Sequence, residues 1–179
     1  MATQSDLIQW AASLRDVASQ MEAKAGQAPV QAAPTELSFG PATVKAFNVN
    51  SMFNTAVVQL WDGTSELNLT VQPPPDALQG LPAAVPVVVG YNKGTDGKND
   101  AITKVTIMAT QVVDAVILEF QQNPDGSGTI GLFSDRTQYL MLHVTSVPAT
   151  VAKGQKNVSF WYTTAGSVET ILAGTVEIG

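Results

Sequence analysis

The sequence predicts a mainly β protein, built as two tandem five-stranded Greek-key β domains preceded by one N-terminal α-helix. Three observations predict it. First, a ten-residue pattern, D-x-T-x-x-L-x-L-x-V, occurs at Asp62–Val71 and again, without a gap, at Asp135–Val144. Each copy reads as a polar turn feeding a strand whose Leu, Leu and Val share one face, because strand side chains alternate with period two. Second, short runs rich in Val, Ile, Thr and aromatic residues recur from Leu37 to the end, separated by Gly, Pro, Asn and Asp. Third, helical periodicity is confined to the first two dozen residues.

The helix is expected over 4–24. Leu7, Ala11, Leu14, Ala18 and Met21 follow one another at alternating spacings of four and three, and Trp10 and Val17 widen the stripe. Thr3 or Ser5 can cap it, Asp6 suits its first turn, and Gly26 can end it. The stripe can pack on its own domain, or it can form a coiled coil or anchor into a partner. Residues 25–36 favour the second use. They are small, polar and punctuated by Pro29 and Pro34, which is linker composition. Leu7, Trp10, Leu14, Val17 and Met21 are therefore the predicted contact residues for a partner or for oligomerisation.

The first β domain is expected over 37–109. Its strands are Thr43–Asn48, Thr55–Trp61, Leu67–Val71, Val85–Tyr91 and Ala101–Met108. Pro73-Pro74-Pro75 breaks the chain after the third strand, and 76–80 is expected to form one helical turn. The second domain, 110–179, repeats this order with Val112–Phe120, Thr129–Phe133, Tyr139–Val144, Val158–Thr163 and Val168–Ile178, the last broken at Gly174. Asn123-Pro124-Asp125-Gly126 is its first hairpin turn. The repeat predicts that Leu67, Leu69, Leu140 and Leu142 are buried at matching places in two similar domains.

Five short strands with an irregular connection between the third and fourth resemble the OB-fold, a small partly open Greek-key barrel. The resemblance covers 43–108 and 112–178 and rests on strand order. Immunoglobulin-like sandwiches share much of the same pattern.

Composition narrows the function. Hydrophobic residues make up 45% of the chain, enough for a core, whereas only 13% are charged, against an average of roughly 25%. Net charge is −6, and no Lys/Arg cluster occurs. Nucleic-acid binders draw most of their non-specific affinity from phosphate neutralisation, so nucleic acid is disfavoured as a partner. Cysteine is absent, which excludes disulfides and thiolate chemistry. No signal peptide is expected from the start of the chain, and no run is long enough for a membrane helix.

No catalytic, cofactor or metal residues are expected. His143 is the only histidine and alternates away from Leu142 and Val144, so neither a nucleophile–base pair nor a zinc site assembles around it. Asp62 and Asp135 sit in turns, where Asp bonds its own backbone. The loop Asn92–Asp100 has Asp96 before Gly97, like a calcium loop, but Gly94 and Thr103 occupy two ligand positions. Phe160, Trp161 and Tyr162 alternate, so Trp161 faces away from the other two.

A tethered helix, two β modules and no catalytic set resemble the build of tailed-phage virion accessory proteins: head decoration proteins, head fibres, tail and baseplate components. That resemblance implies a non-enzymatic structural or interaction protein, a protein partner or self-association, and a place in a virion, or otherwise in the cytoplasm. The alternative is an OB-like module that binds single-stranded nucleic acid or oligosaccharide. From charge alone, the chain is expected to show no micromolar affinity for single-stranded DNA at about 150 mM salt. Fluorescence anisotropy with a labelled oligonucleotide checks this, and tight binding would promote Tyr139 and Trp161 to a stacking platform.

Overall fold

Among the described residues, eleven strands make two sheets whose pairing orders match. In a computed structural model, which describes Arg15 and residues 35–95, 98–136 and 138–179, the strands are β1 (Leu37–Asn50), β2 (Thr55–Trp61), β3 (Glu66–Val71), β4 (Pro86–Asn92), β5 (Ala101–Ile107), β6 (Thr110–Gln122), β7 (Gly128–Ser134), β8 (Gln138–Val144), β9 (Val158–Ala165), β10 (Val168–Ile171) and β11 (Glu177–Ile178). Apart from Arg15, the predicted helix over 4–24, with its stripe and most of the linker, lies outside the described residues. So do Asp96, Gly97 and Thr137. Glu36–Gly179 form one unit that holds both sheets.

The first sheet runs β3-β2-β1-β4-β5, and the second runs β10-β8-β7-β6-β9-β11. In each, the first strand is shared between two partners. The N-terminal part of β1 pairs with β4 and its C-terminal part with β2. Likewise β6 pairs first with β9 and then with β7. This is why β1 extends over 14 residues rather than the six of Thr43–Asn48: one strand must serve two neighbours. Each long strand carries two register shifts, between Phe39/Ala42 and Val44/Ala46 in β1 and between Val112/Ala115 and Ile117/Glu119 in β6. Bulges of this kind bend a strand and let it turn from one partner to the next. Gly40 makes the first one possible. It has φ +127°, and a Cβ there would lie 2.5 Å from the Val87 carbonyl oxygen.

Each sheet then closes on itself, third strand against fifth. In the first, Val71 bridges Asp100 in parallel, and the Asp100 N–H donates to the Thr70 carbonyl at 2.7 Å. The Asp100 carboxylate adds three contacts. It accepts the Thr70 N–H at 3.1 Å and the Gly94 N–H at 3.1 Å, and Lys93 Nζ lies 3.6 Å away. In the second, β8 pairs with β10 in parallel at Val144 and Glu169. The Glu169 carboxylate accepts the His143 N–H at 2.7 Å, and its carbonyl accepts the Thr145 N–H at 3.1 Å. Thr70 and His143 occupy the same place in the repeat. Both sheets thus use one device: a carboxylate from the closing strand satisfies a backbone N–H of the third strand.

Each sheet encloses its own apolar cluster. Val58, Leu60, Leu69, Val71, Val87 and Val89 centre the first; Ile117, Ile130, Leu132, Leu142, Val158 and Phe160 centre the second. The connection between third and fourth strands plugs each cluster. The first uses Leu78 from a 3-10 turn at Asp76–Leu78, shorter than the turn expected over 76–80. The second uses Val147 and Val151. Leu69 and Leu142 are buried as predicted, whereas Leu67 and Leu140 are only half-buried. The latter pair sit at the hairpin end of their strands, on the rim of the cluster.

Replacing Asp100 or Glu169 by Ala leaves third-strand N–H groups without their acceptor. Each change is expected to cost about 0.5–1.5 kcal/mol, read as a lower denaturant midpoint with unchanged slope. Asn68→Ala, on the outer face, is expected to stay within about 0.5 kcal/mol of the parent.

Candidate interaction surfaces

Pairing partners set the equivalence between the halves. Leu60 pairs with Leu67, and Leu132 with Leu140; Ala56 pairs with Val71, and Gly128 with Val144. The third strands therefore superimpose as the repeat predicts, while the second hairpin has one more residue between its strands. Trp61 is thus the counterpart of Phe133, not of Ser134 as the ungapped alignment places it. Inward positions match in burial: Val58 with Ile130, Leu60 with Leu132, Leu69 with Leu142.

Outward positions do not match. Across β1, β2 and β3 the outer rows are Thr43–Trp61–Glu66 and Ala46–Gln59–Asn68. Across β6, β7 and β8 they are Val116–Phe133–Tyr139 and Glu119–Gly131–Met141. In these two rows the second half is the more apolar, with Phe133 40% and Tyr139 50% exposed, while the adjoining row Gln121–Thr129–His143 is polar and the first half exposes Val57 to 41%. Val116 and Met141 are half-buried beside Phe133 and Tyr139. Gly131 makes room for this arrangement, since a Cβ there would meet the Tyr139 hydroxyl at 2.9 Å and Glu119 Cβ at 3.0 Å. Tyr139 thus lies diagonally across the glycine, toward Glu119. Local desolvation, then the nearby Glu119 charge and its hydrogen-bonding to the hydroxyl, raise the Tyr139 hydroxyl above its ordinary pKa. A second exposed apolar feature is the β1–β2 hairpin tip, with Met52 at 85% and Phe53 at 64%.

The remaining residues singled out by the sequence fall into place as follows. Leu7, Trp10, Leu14, Val17 and Met21 lie outside the described residues. His143 is exposed, and its backbone N–H is held by Glu169. Asp62 bonds its own turn: Oδ1 accepts the Thr64 and Ser65 N–H groups at 2.8 and 2.7 Å, and Oδ2 accepts the Ser65 hydroxyl at 2.8 Å. Asp125 does the same in the next half's hairpin, through the Ser127 N–H at 3.0 Å and hydroxyl at 2.6 Å. Phe160 and Tyr162 face the core with ring centroids 6.3 Å apart, and Trp161 faces outward, half-buried. Among the described residues no group of three or more His, Cys, Asp or Glu is placed to hold a metal ion, and no helix is long and apolar enough to cross a membrane.

Compared with known proteins, the chain matches no family model, no curated protein and no solved structure.

Hydrogen bonds from the Ser65 and Thr64 backbone, then from their hydroxyls, hold Asp62 well below the ordinary carboxylate range. A carboxyl whose folded pKa is depressed contributes fully above its unfolded value, and that contribution is lost as pH falls through the folded one. The Thr64 and Ser65 amide resonances are accordingly expected to hold steady through the usual Asp range and to shift only in stronger acid. An NMR pH titration checks this, and Asp62→Asn should abolish the transition.

Proposed function

We propose that the chain is a non-enzymatic interaction protein, two OB-like β modules that hold it within a larger assembly. The observation that carries this reading is the difference between equivalent outer faces. One fold, repeated, keeps its inward residues and changes its outward ones, and the second half places Phe133, Tyr139 and Met141 where the first has Trp61, Glu66 and Asn68. Aromatic residues and Met are enriched at protein interfaces and charged residues are depleted at their centres. In OB-like barrels the face of the second and third strands is also the surface that meets ligands. The partner on this reading is another protein or a second copy of the chain.

The N-terminal stripe of Leu7, Trp10, Leu14, Val17 and Met21 is the attachment element, tethered by residues 25–36. A virion accessory role is the setting whose build the chain resembles. The alternative, an OB-like module for single-stranded nucleic acid, would use the same face, but the only charged group built into its centre is the Glu119 carboxylate, which repels phosphate.

Two variants test the proposal by light scattering and by incorporation into the source assembly. Removing residues 1–34 and, separately, changing Phe133→Ser together with Tyr139→Ser should each weaken association at least about tenfold, a loss of about 1.4 kcal/mol. Both are expected to melt within a few degrees of the parent. Association that survives both changes would contradict the reading, and so would single-stranded DNA binding lost in the Phe133/Tyr139 variant.

A further inference from the structure

Within Glu36–Gly179, a cleft of about 430 Å³ opens between the segment 77–82 of the first half and strands β6, β9 and β11 of the second. This volume lies in the range of small-molecule sites, about 300–1,000 Å³. We propose that the cleft binds a neutral saccharide, with Trp161 as the stacking platform and Gln79, Gln111, Ser159 and Glu177 as hydroxyl partners.

Trp161 lies on the outer face of β9, with a rigid backbone. Its N–H donates to Thr175 Oγ1 at 3.0 Å, and its carbonyl accepts the Leu172 N–H at 2.9 Å. The Thr175 hydroxyl, 5% exposed, in turn donates to the Leu172 carbonyl at 2.8 Å. A buried threonine thus fixes the strand at the residue that lines the cleft. A half-buried indole on a strand fixed in this way offers a flat apolar surface of the kind that the C–H face of a pyranose covers, and an aromatic side chain has few rotatable bonds to immobilise.

The polar lining supplies what hydroxyls require. Two amides give both donors and acceptors, and a carboxylate gives acceptors only. The side chains of Gln79, Gln111 and Glu177 make no hydrogen bond to another described residue. Ser159 Oγ accepts the Asp114 N–H at 3.0 Å, which leaves its own proton to donate. The lining holds one carboxylate and no Lys, Arg or His, so a phosphorylated ligand meets repulsion rather than a counter-charge. An extended peptide is disfavoured for a different reason. It would need a long free strand edge, whereas β9 is paired on both sides and β11, the end strand beside the cleft, offers only Glu177–Ile178. Ligand side groups, not a backbone ladder, must carry recognition.

The test uses the full chain and four neutral probes: maltotriose, cellotriose, mannotriose and tri-N-acetylchitotriose. Saturation-transfer NMR and tryptophan fluorescence should detect at least one of them at millimolar affinity or tighter. Trp161→Ala should then weaken that binding at least about tenfold. Gln111→Ala, on an exposed side chain that cannot disturb the core, should weaken it less, and Lys156→Ala, outside the cleft, should leave it unchanged. Absence of binding by all four probes overturns the proposal. Binding that survives both Trp161→Ala and Gln111→Ala overturns it too, as does preference for a mixed hexapeptide pool over every sugar. None of these outcomes touches the association carried by Phe133 and Tyr139, so the two readings fail separately.

Discussion

Closing a short sheet on itself is the constraint on which the rest of this structure depends. The third strand of each half meets the closing segment in parallel over very few residues, Val71 with Asp100 just before β5 and Val144 with Glu169 of β10. Parallel pairing is the less stable kind, and so short a ladder leaves backbone donors without partners. Asp100 and Glu169 offset that weakness in the same way, each presenting a carboxylate to the N–H of Thr70 or His143. Charge-assisted bonds to backbone N–H groups are among the stronger hydrogen bonds available. With closure secured at that point, the bulged first strand can turn between two partners, and the plug residues Leu78, Val147 and Val151 complete two separate apolar clusters.

A sheet closed by its inward residues leaves its outward residues free to differ. Burial at Val58/Ile130, Leu60/Leu132 and Leu69/Leu142 is nearly identical between halves. The outer rows keep an aromatic at Trp61/Phe133 and differ beside it, where Glu66 and Asn68 give way to Tyr139 and Met141. Gly131 shows how far the change goes: it stands opposite Gln59 of the first half, and its lack of a side chain is what lets Tyr139 lie across the sheet toward Glu119. The proposed contact face comes from outward positions of the second half, and the cleft sets the outward Trp161 of that half against segment 77–82 of the first. Trp161 belongs to the same logic, since its neighbours Phe160 and Tyr162 are committed to the core.

Much of the scaffold was legible in the sequence because strand alternation and turn residues are local signals. The paired hairpins, the succession of strands along the chain, the facing of Trp161 opposite to Phe160 and Tyr162, and the turn role of Asp62 all follow from spacing of a few residues. The closing carboxylates were not legible. Asp100 and Glu169 act across 30 and 26 residues on the chain, and they sit at different depths, one before β5 and the other inside β10. The apolar face was missed for a related reason. Phe133 and Tyr139 meet across a turn one residue longer than its counterpart, so an ungapped alignment of the repeat sets Phe133 against Leu60, which is buried. The half-buried state of Leu67 and Leu140 reflects position on the rim, which alternation alone does not register.

Native-state hydrogen exchange at two amides tests the closure most directly. If the carboxylates close the two sheets, the Thr70 and His143 N–H groups should be protected to a degree comparable with the paired centre of the same strands. Protection at both should fall together with the acceptors' removal in Asp100→Ala and Glu169→Ala, each in its own half only. Exchange at Thr70 and His143 as fast as at the exposed hairpin tip Ser51–Asn54 would contradict the account, because the third strands would then be open edges.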